Sequence, residues 1–409
     1  MKQNTENHLI IPEVTKDPKS NAKIMVVGLG KAGVMFTEQL VSLKAAKWLN
    51  VIAVDTDLAT LTAFPGLQKF QADPRWRNGA GCGGDLTNGS RSFSAEREGI
   101  GHLIDGVDGL IVTGGLGRGT ATGGAGVFAS VAKQKNIPTF FVMTMPFTME
   151  GHNRRQTADK GVVEILPSAD ALFCLPMDLL FSSLPAETPI TEAYAAANRE
   201  MAGVILGLAE IMRSQSVMPA DLSDFRTALN RRKSFCSIGV GTASSDDGAN
   251  RCHVALEKML KAPLLGGVNS FKGADVIFSM ITGGADLNIS EMKKTLEAAA
   301  AHFNPKAQII IGAAVSEEYG NNVQVTAITV KYDKSETLPQ VESRPITATS
   351  TKKRKSAGQG TKEQPSLPLQ DISKGIFINA APSIINGQDL DIPTCQRKMI
   401  SIDVGMEQK

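Results

Sequence analysis

The chain has 409 residues, 42% of them hydrophobic and 5% aromatic, with Gly 39. That is room for two domains of ordinary size, and the composition suits an α/β protein. Lys plus Arg, 43, nearly balance Asp plus Glu, 41, so the net formal charge of +2 gives no electrostatic case for nucleic acid as a main partner.

The first 21 residues, MKQNTENHLIIPEVTKDPKSN, read as a disordered tail. They lack the apolar run of a signal peptide, and no stretch of the chain reaches the ~18 apolar residues of a membrane span. The cysteines (Cys82, Cys174, Cys236, Cys252, Cys395) are odd in number and without a CxxC pair. They suggest neither a disulfide framework nor a zinc site, and a reducing cytoplasm is the natural setting.

Residues 22–188 form a first domain. Its apolar runs AKIMVVGLG, WLNVIAVD, GLIVTGG, TFFVMTMP and ALFCLPMD are bounded by Gly, Pro or Asp and alternate with helical stretches. This is the pattern of a buried parallel sheet. Residues 189–214 place Met201, Val204, Ile205, Leu208, Ile211 and Met212 on one face at helical spacing, which predicts a long helix joining two domains. A second, smaller α/β domain over 215–332 carries SFCSIGVGTAS, ADVIFSMITGG, QIIIGAAVSE and VQVTAITVKY, with helices around Glu257 and Lys293. Residues 333–372 are polar and rich in Ser, Thr, Lys and Pro, the composition of a flexible linker; its basic run Lys352 to Lys355 reads as solvated. Hydrophobicity returns in 373–409, the form of a tethered partner-binding peptide.

Two glycine loops carry the chemistry. Gly28-Leu-Gly-Lys-Ala-Gly33 follows a strand and opens a helix, and Asp55 ends the next strand. Those are elements of a dinucleotide fingerprint, and a nicotinamide-dependent oxidoreductase is one reading. A phosphate loop of the GxxxxGK[ST] type is absent. The second loop, TGGLGRGTATGGAG from Thr113 to Gly126, is half glycine and exceeds what one pyrophosphate turn needs. Two such loops at the carboxyl ends of parallel strands suggest a polyphosphate held by backbone N–H groups and helix N-termini. Thr120 and Thr122 add hydroxyls there, or serve only as helix caps.

GGLGRGTATG resembles the signature loop of the tubulin superfamily, and from about Lys23 to Val330 the chain looks like the bacterial FtsZ family. VVGLGKAG, VDTD, GAGCGGD, MPFTMEGHNRR, APLL and ITGGADL agree independently, and DLDIPTCQRK resembles the family's tail peptide. The resemblance implies a tubulin-like fold with a Rossmann-type parallel-sheet GTPase domain, a long central helix and a smaller α/β domain. It implies GTP/GDP as ligand with Mg2+, head-to-tail filaments, and a cytoplasmic protein recruited to the bacterial division site at the inner membrane face. Partners would be the protein itself and membrane-anchoring or regulatory division proteins bound by the tail around Asp389 to Lys398.

Residue by residue, the resemblance assigns the nucleotide to Gly30, Lys31 and Ala32, to Asp55 and Asp57, and to Gly81. From the signature loop it adds Gly115, Gly117, Arg118, Gly119, Thr120, Ala121, Thr122 and Gly123. Glu150 would hold the ribose and Arg154 a phosphate; Tyr194 would stack on the base and Asn198 read guanine. Asp221 and Asp224 match the acids of the synergy loop, which would enter the neighbouring subunit's site to orient the attacking water and take its proton. Arg118 and Ala121 replace glycines of the signature, Met177 replaces an asparagine that reads guanine, and Pro219 an asparagine of the synergy loop. Cys395 and Gln396 replace an apolar pair in the tail. A divergent filament scaffold with slow or no hydrolysis is the alternative these replacements raise.

Overall fold

The computed structural model describes residues 22–213, 216–218, 234–248 and 250–332, together with 384–385 and 388–389. The N-terminal tail, Asp221 and Asp224, Pro219, the linker and the tail replacements Cys395 and Gln396 lie outside the described residues.

The first sheet is built from β1 (Ile24–Leu29), β2 (Asn50–Asp55), β3 (Gln68–Gln71), β4 (Gly109–Gly115), β5 (Thr139–Met145) and β6 (Ala171–Pro176). All neighbours are parallel, in the order β3-β2-β1-β4-β5-β6. The connecting helices are α1 (Gly30–Ser42), α2 (Leu58–Thr62), α3 (Leu86–Ala95), α4 (Arg97–Leu103), α5 (Gly119–Gln134) and α6 (His152–Ile165). Side chains alternate across a strand, and β1 shows it: Ile24 and Val26 join the core on one face, Met25, Val27 and Leu29 the core on the other. Burial on both faces is why these strands read as unbroken apolar runs. β3 escaped the sequence reading because QKFQ is a polar edge strand.

After α7 (Met177–Ser182) comes α8 (Ile190–Met212), about 35 Å long at ~1.5 Å per residue. Its buried Met201, Val204, Ile205 and Leu208 belong to one core with Val26 and Phe140 of the first sheet and Phe278 and Ile328 of the second. The helix therefore welds the two sheets together.

The second sheet contains β7 (Ser216–Met218), β8 (Ser234–Ser244), β9 (Val276–Gly283), β10 (Gln308–Val315) and β11 (Asn322–Tyr332), in the order β7-β10-β9-β11-β8. β9 and β10 pair in parallel and the other neighbours antiparallel. α9 (Arg251–Leu260), α10 (Asn269–Lys272) and α11 (Ile289–Ala300) supply Leu256, Met259, Phe271 and Ala299 to a further core with Ile277, Ile281 and Val325. Both sheets belong to one compact unit that ends at Leu338; in the second unit, β12 (Ile384–Ile385) pairs antiparallel with β13 (Gln388–Asp389).

Candidate functional site

In a doubly wound sheet, ligands settle where the strand order reverses and successive connections leave in opposite directions. Here that point lies between β1 and β4. A cleft of about 890 Å³ opens at their carboxyl ends, within the ~300–1,000 Å³ usual for small-molecule sites.

Two helices begin at this cleft. Leu29 caps α1 and Arg118 caps α5; neither gives a side-chain cap hydrogen bond, and neither first turn holds an acid. Leucine has no acceptor and arginine only donors. The first N–H groups of both helices are thus left to an outside partner, with the positive ends of both dipoles behind them. That pair of starts is an anion site. Lys31 and Arg118 are exposed at the same cleft.

The loops behind it are stitched together. The Oδ1 of Asp55, 3% exposed, accepts from Thr56 N at 2.7 Å, Asp57 N at 3.2 Å and Thr120 Oγ1 at 3.2 Å. Thr56 Oγ1 lies 3.1 Å from Thr120 Oγ1 and accepts from Cys82 N at 3.2 Å; Cys82 Sγ lies 3.3 Å from Thr120 Oγ1. Burial raises the Asp55 carboxyl above its ordinary range, against the pull of the Asp57 and Thr56 N–H groups and the Thr120 hydroxyl. Asp57 caps α2, accepting from Ala59 N at 3.1 Å and Thr60 Oγ1 at 2.9 Å. Thr56 and Cys82 were not among the assigned residues, although they stand inside the quoted VDTD and GAGCGGD.

The opposite wall is aromatic. Phe147 meets Phe181 edge-on at 4.8 Å between centroids, and Phe181 meets Tyr194 at 5.2 Å. Tyr194 remains 41% exposed, and Asn198, one turn further along α8, and Met177, first residue of α7, line the cleft with it. Glu150 Oε1 accepts from Phe147 N at 3.3 Å, while its Oε2 is paired with Arg154 Nη1. Glu150 and Arg154, four residues apart, thus form an ion pair at the rim of the cleft.

Of the expected residues, Gly30, Lys31, Ala32, Asp55, Asp57, Gly81, Gly115, Arg118, Gly119, Thr120, Ala121, Glu150, Arg154, Tyr194 and Asn198 line this one cleft. Gly117 turns with φ +98° in an adjoining recess shared with Arg118 and Arg154. Thr122 and Gly123 stand behind the wall. Thr122 is fully buried and accepts from Gly117 N at 3.0 Å, bracing the loop, and a Cβ on Gly123 would fall 2.3 Å from Ser90 N of α3. Among the described residues, no group of three or more His, Cys, Asp or Glu is arranged to hold a metal.

Residues 23–185 match the model of the tubulin/FtsZ family, GTPase domain, and residues 235–333 that of the FtsZ family, C-terminal domain. Together with the switch-point cleft and the second sheet, these matches define a tubulin-like GTPase. The cell division protein FtsZ of Buchnera aphidicola subsp. Schizaphis graminum is 30% identical over 309 residues, 76% of this chain and 79% of that one. An empty FtsZ dimer from M. jannaschii superposes with a TM-score of 0.65 at 27% identity, covering 79% of this chain and 95% of that chain. The CetZ2 protofilament from Haloferax volcanii, solved with GTPγS, shares the fold with a TM-score of 0.58 at 20% identity, over 76% and 94% of the two chains. The chain belongs to the FtsZ family. The nicotinamide reading falls with these matches.

Proposed function

We propose that the cleft binds GTP and that GTP-bound subunits stack head to tail into filaments acting in bacterial cell division. The observation that carries this reading is the convergence of two uncapped helix starts on one cleft whose far wall holds Tyr194 and Asn198 a turn apart. Phosphates face the N-termini of α1 and α5, and the base faces the aromatic wall. Mg2+ bound to phosphates keeps several waters and needs only one or two carboxylates, so Asp55 and Asp57 suffice as its protein support. Its contribution when bound is to neutralise phosphate charge.

Arg154 turns from Glu150 to a phosphate when nucleotide enters, and Glu150 is released to the ribose. Asp221 and Asp224 of one subunit orient and deprotonate the water that attacks the next subunit's γ-phosphate. The family's GTPase domain favours turnover over a scaffold without hydrolysis. The segment around Asp389 to Lys398 recruits division proteins at the cytoplasmic membrane face. Sedimentation tests the reading: GTP brings the protein into the pellet and GDP leaves it in the supernatant. Equal pelleting with both nucleotides contradicts it.

A further inference from the structure

The recess beside the cleft has a volume of about 320 Å³, at the small end of the ~300–1,000 Å³ usual for small-molecule sites. Gly83, Gly84 and Gly117 give it walls of bare backbone, and the only side chains that line it are those of Arg118, Asn153, Arg154 and Thr157. Each of the four carries a hydrogen-bond donor, two are cations, and none is a carboxylate or an apolar group. The cleft itself is different, for Asp55, Asp57 and Glu150 line it along with many apolar side chains. Donors and cations without acids are the lining an oxyanion requires.

The local sequence builds this recess. Gly117 brings the loop before α5 against the start of α6, where a Cβ would lie 2.9 Å from Arg154 O. Asn153 and Arg154 are the second and third residues of α6, which begins without a side-chain cap and without an acid in its first turn. The positive end of that helix therefore adds to the guanidinium charges. Arg154 is held by Glu150, whereas Arg118 is exposed and makes no hydrogen bond or ion pair with any described residue. Gly83, Gly84, Arg118 and Arg154 line the cleft as well, so the two spaces meet along these residues. Asn153 and Thr157 line the recess alone.

We propose that the recess is an oxyanion site that receives the inorganic phosphate made by hydrolysis before it leaves the subunit. The inference rests on the reading that the cleft hydrolyses GTP. In that reaction the water oxygen bonds to the γ-phosphorus, and the bond to the β–γ bridging oxygen breaks with its electron pair going to GDP. One proton of the water passes to an aspartate of the next copy and the other stays on the phosphate. The product is set free beside Arg118 and Arg154, the two cations that both spaces share. A doubly charged ion thus crosses from cleft to recess without losing its countercharge, and the Asn153 amide and Thr157 hydroxyl donate to it there.

Titrating inorganic phosphate into the GDP-loaded full chain by calorimetry, against potassium chloride at equal ionic strength, tests the site. Phosphate binds. Asn153→Asp keeps the shape of an exposed side chain at a helix start, where an acid favours the fold, and its like charge weakens phosphate about tenfold while GDP affinity is kept. Thr157→Val, which changes no charge, weakens phosphate about fivefold. In a single turnover of the assembled protein, free phosphate read by a fluorescent sensor trails cleaved phosphate read after acid quench, and Asn153→Asp shortens the delay. No phosphate binding to the GDP form, an affinity unchanged in both variants, or equal losses of GDP and phosphate affinity in Asn153→Asp overturns the site. A delay that Asn153→Asp leaves unchanged overturns the role in product release. Absence of cleavage in the assembled, unmodified protein overturns the reading beneath and the product role with it, while the titration still decides whether the recess binds the ion.

Discussion

Met177 lines the cleft with a thioether, a weak acceptor, and Asn198 brings an amide that both donates and accepts. The proposed GTP reading therefore assigns base recognition to Asn198. Asn198→Ala is expected to weaken GTP binding by about 1–3 kcal/mol, the usual loss for a buried hydrogen bond, and to bring GTP and ATP affinities together in a competition titration. Arg118 stands at the start of α5 and lines the cleft; if it meets a phosphate as a charge-assisted donor, it is expected to contribute about 1.5–3 kcal/mol. Arg118→Gly should raise the nucleotide Kd accordingly, and tighter binding in the glycine variant would mean that the arginine obstructs the site. Glu210 carries a pH signature of its own. Its carboxyl stands at about 7 in the folded chain against an ordinary 4.5, so between those values the native state keeps a proton that the unfolded chain has released. The stability this contributes is complete below 4.5 and is lost as pH rises through 7, at most about 3 kcal/mol. In urea denaturation, Glu210→Gln should gain on the unmodified protein at pH 8 relative to pH 5; a difference independent of pH would contradict this.

At the scale of elements, the glycines of the second loop divide into two jobs. Gly117 makes the turn, whereas Gly119 and Gly123 bring α5 against α3: a Cβ on Gly89 would lie 2.1 Å from Gly119 O, and one on Gly119 would lie 2.3 Å from Cys82 Sγ. Backbone, which cannot swing aside, is what these positions meet at Gly89 and Gly123. Gly89→Ala or Gly123→Ala should each destabilise by about 1–3 kcal/mol in urea unfolding, with weaker GTP binding because α5 carries the loop. An unchanged midpoint would show that the helices can part freely. The sequence revealed the loop and its place between strand and helix, but not this division, because the partner α3 lies about 30 residues upstream and its contact is set by tertiary packing. The main strands were legible as apolar runs, and α8 by its periodicity, running from Ile190 to Met212 within the expected 189–214. β3 and β7 were not: one is polar and the other three residues long, too short for a pattern. At the site, the motifs pointed to the cleft residues, yet Thr122 matched the signature while serving as a brace. The contacts of Arg213 with Trp48, buried Glu210 and Glu318 had only a partial local signal, since Trp48 and Glu318 reach Arg213 only in the folded chain.

In the whole molecule, α8 runs from the cleft through the core that both sheets share. Tyr194 and Asn198 near its start line the cleft; Arg213, which follows its last residue, lies about 20 Å of helix further on and leads into the segment with Asp221 and Asp224. On the proposed reading, a single subunit binds its nucleotide at the cleft, and Asp221 and Asp224 serve the nucleotide of the next copy. A head-to-tail contact joins the two ends of different copies and, being heterologous, propagates as a filament. The proposed mechanism then requires hydrolysis to wait for assembly. Mixing Asp221→Ala with a second variant that cannot bind GTP but keeps both aspartates should restore some turnover, since each supplies what the other lacks. The most direct measurement is GTPase specific activity across a series of protein concentrations, with sedimented filament read in parallel. Activity should be near zero below a threshold and rise above it together with filament mass. Asp221→Ala and Asp224→Ala should show the same filament threshold without the turnover. Specific activity that is independent of concentration, or unaltered in both aspartate variants, would contradict hydrolysis at the subunit junction.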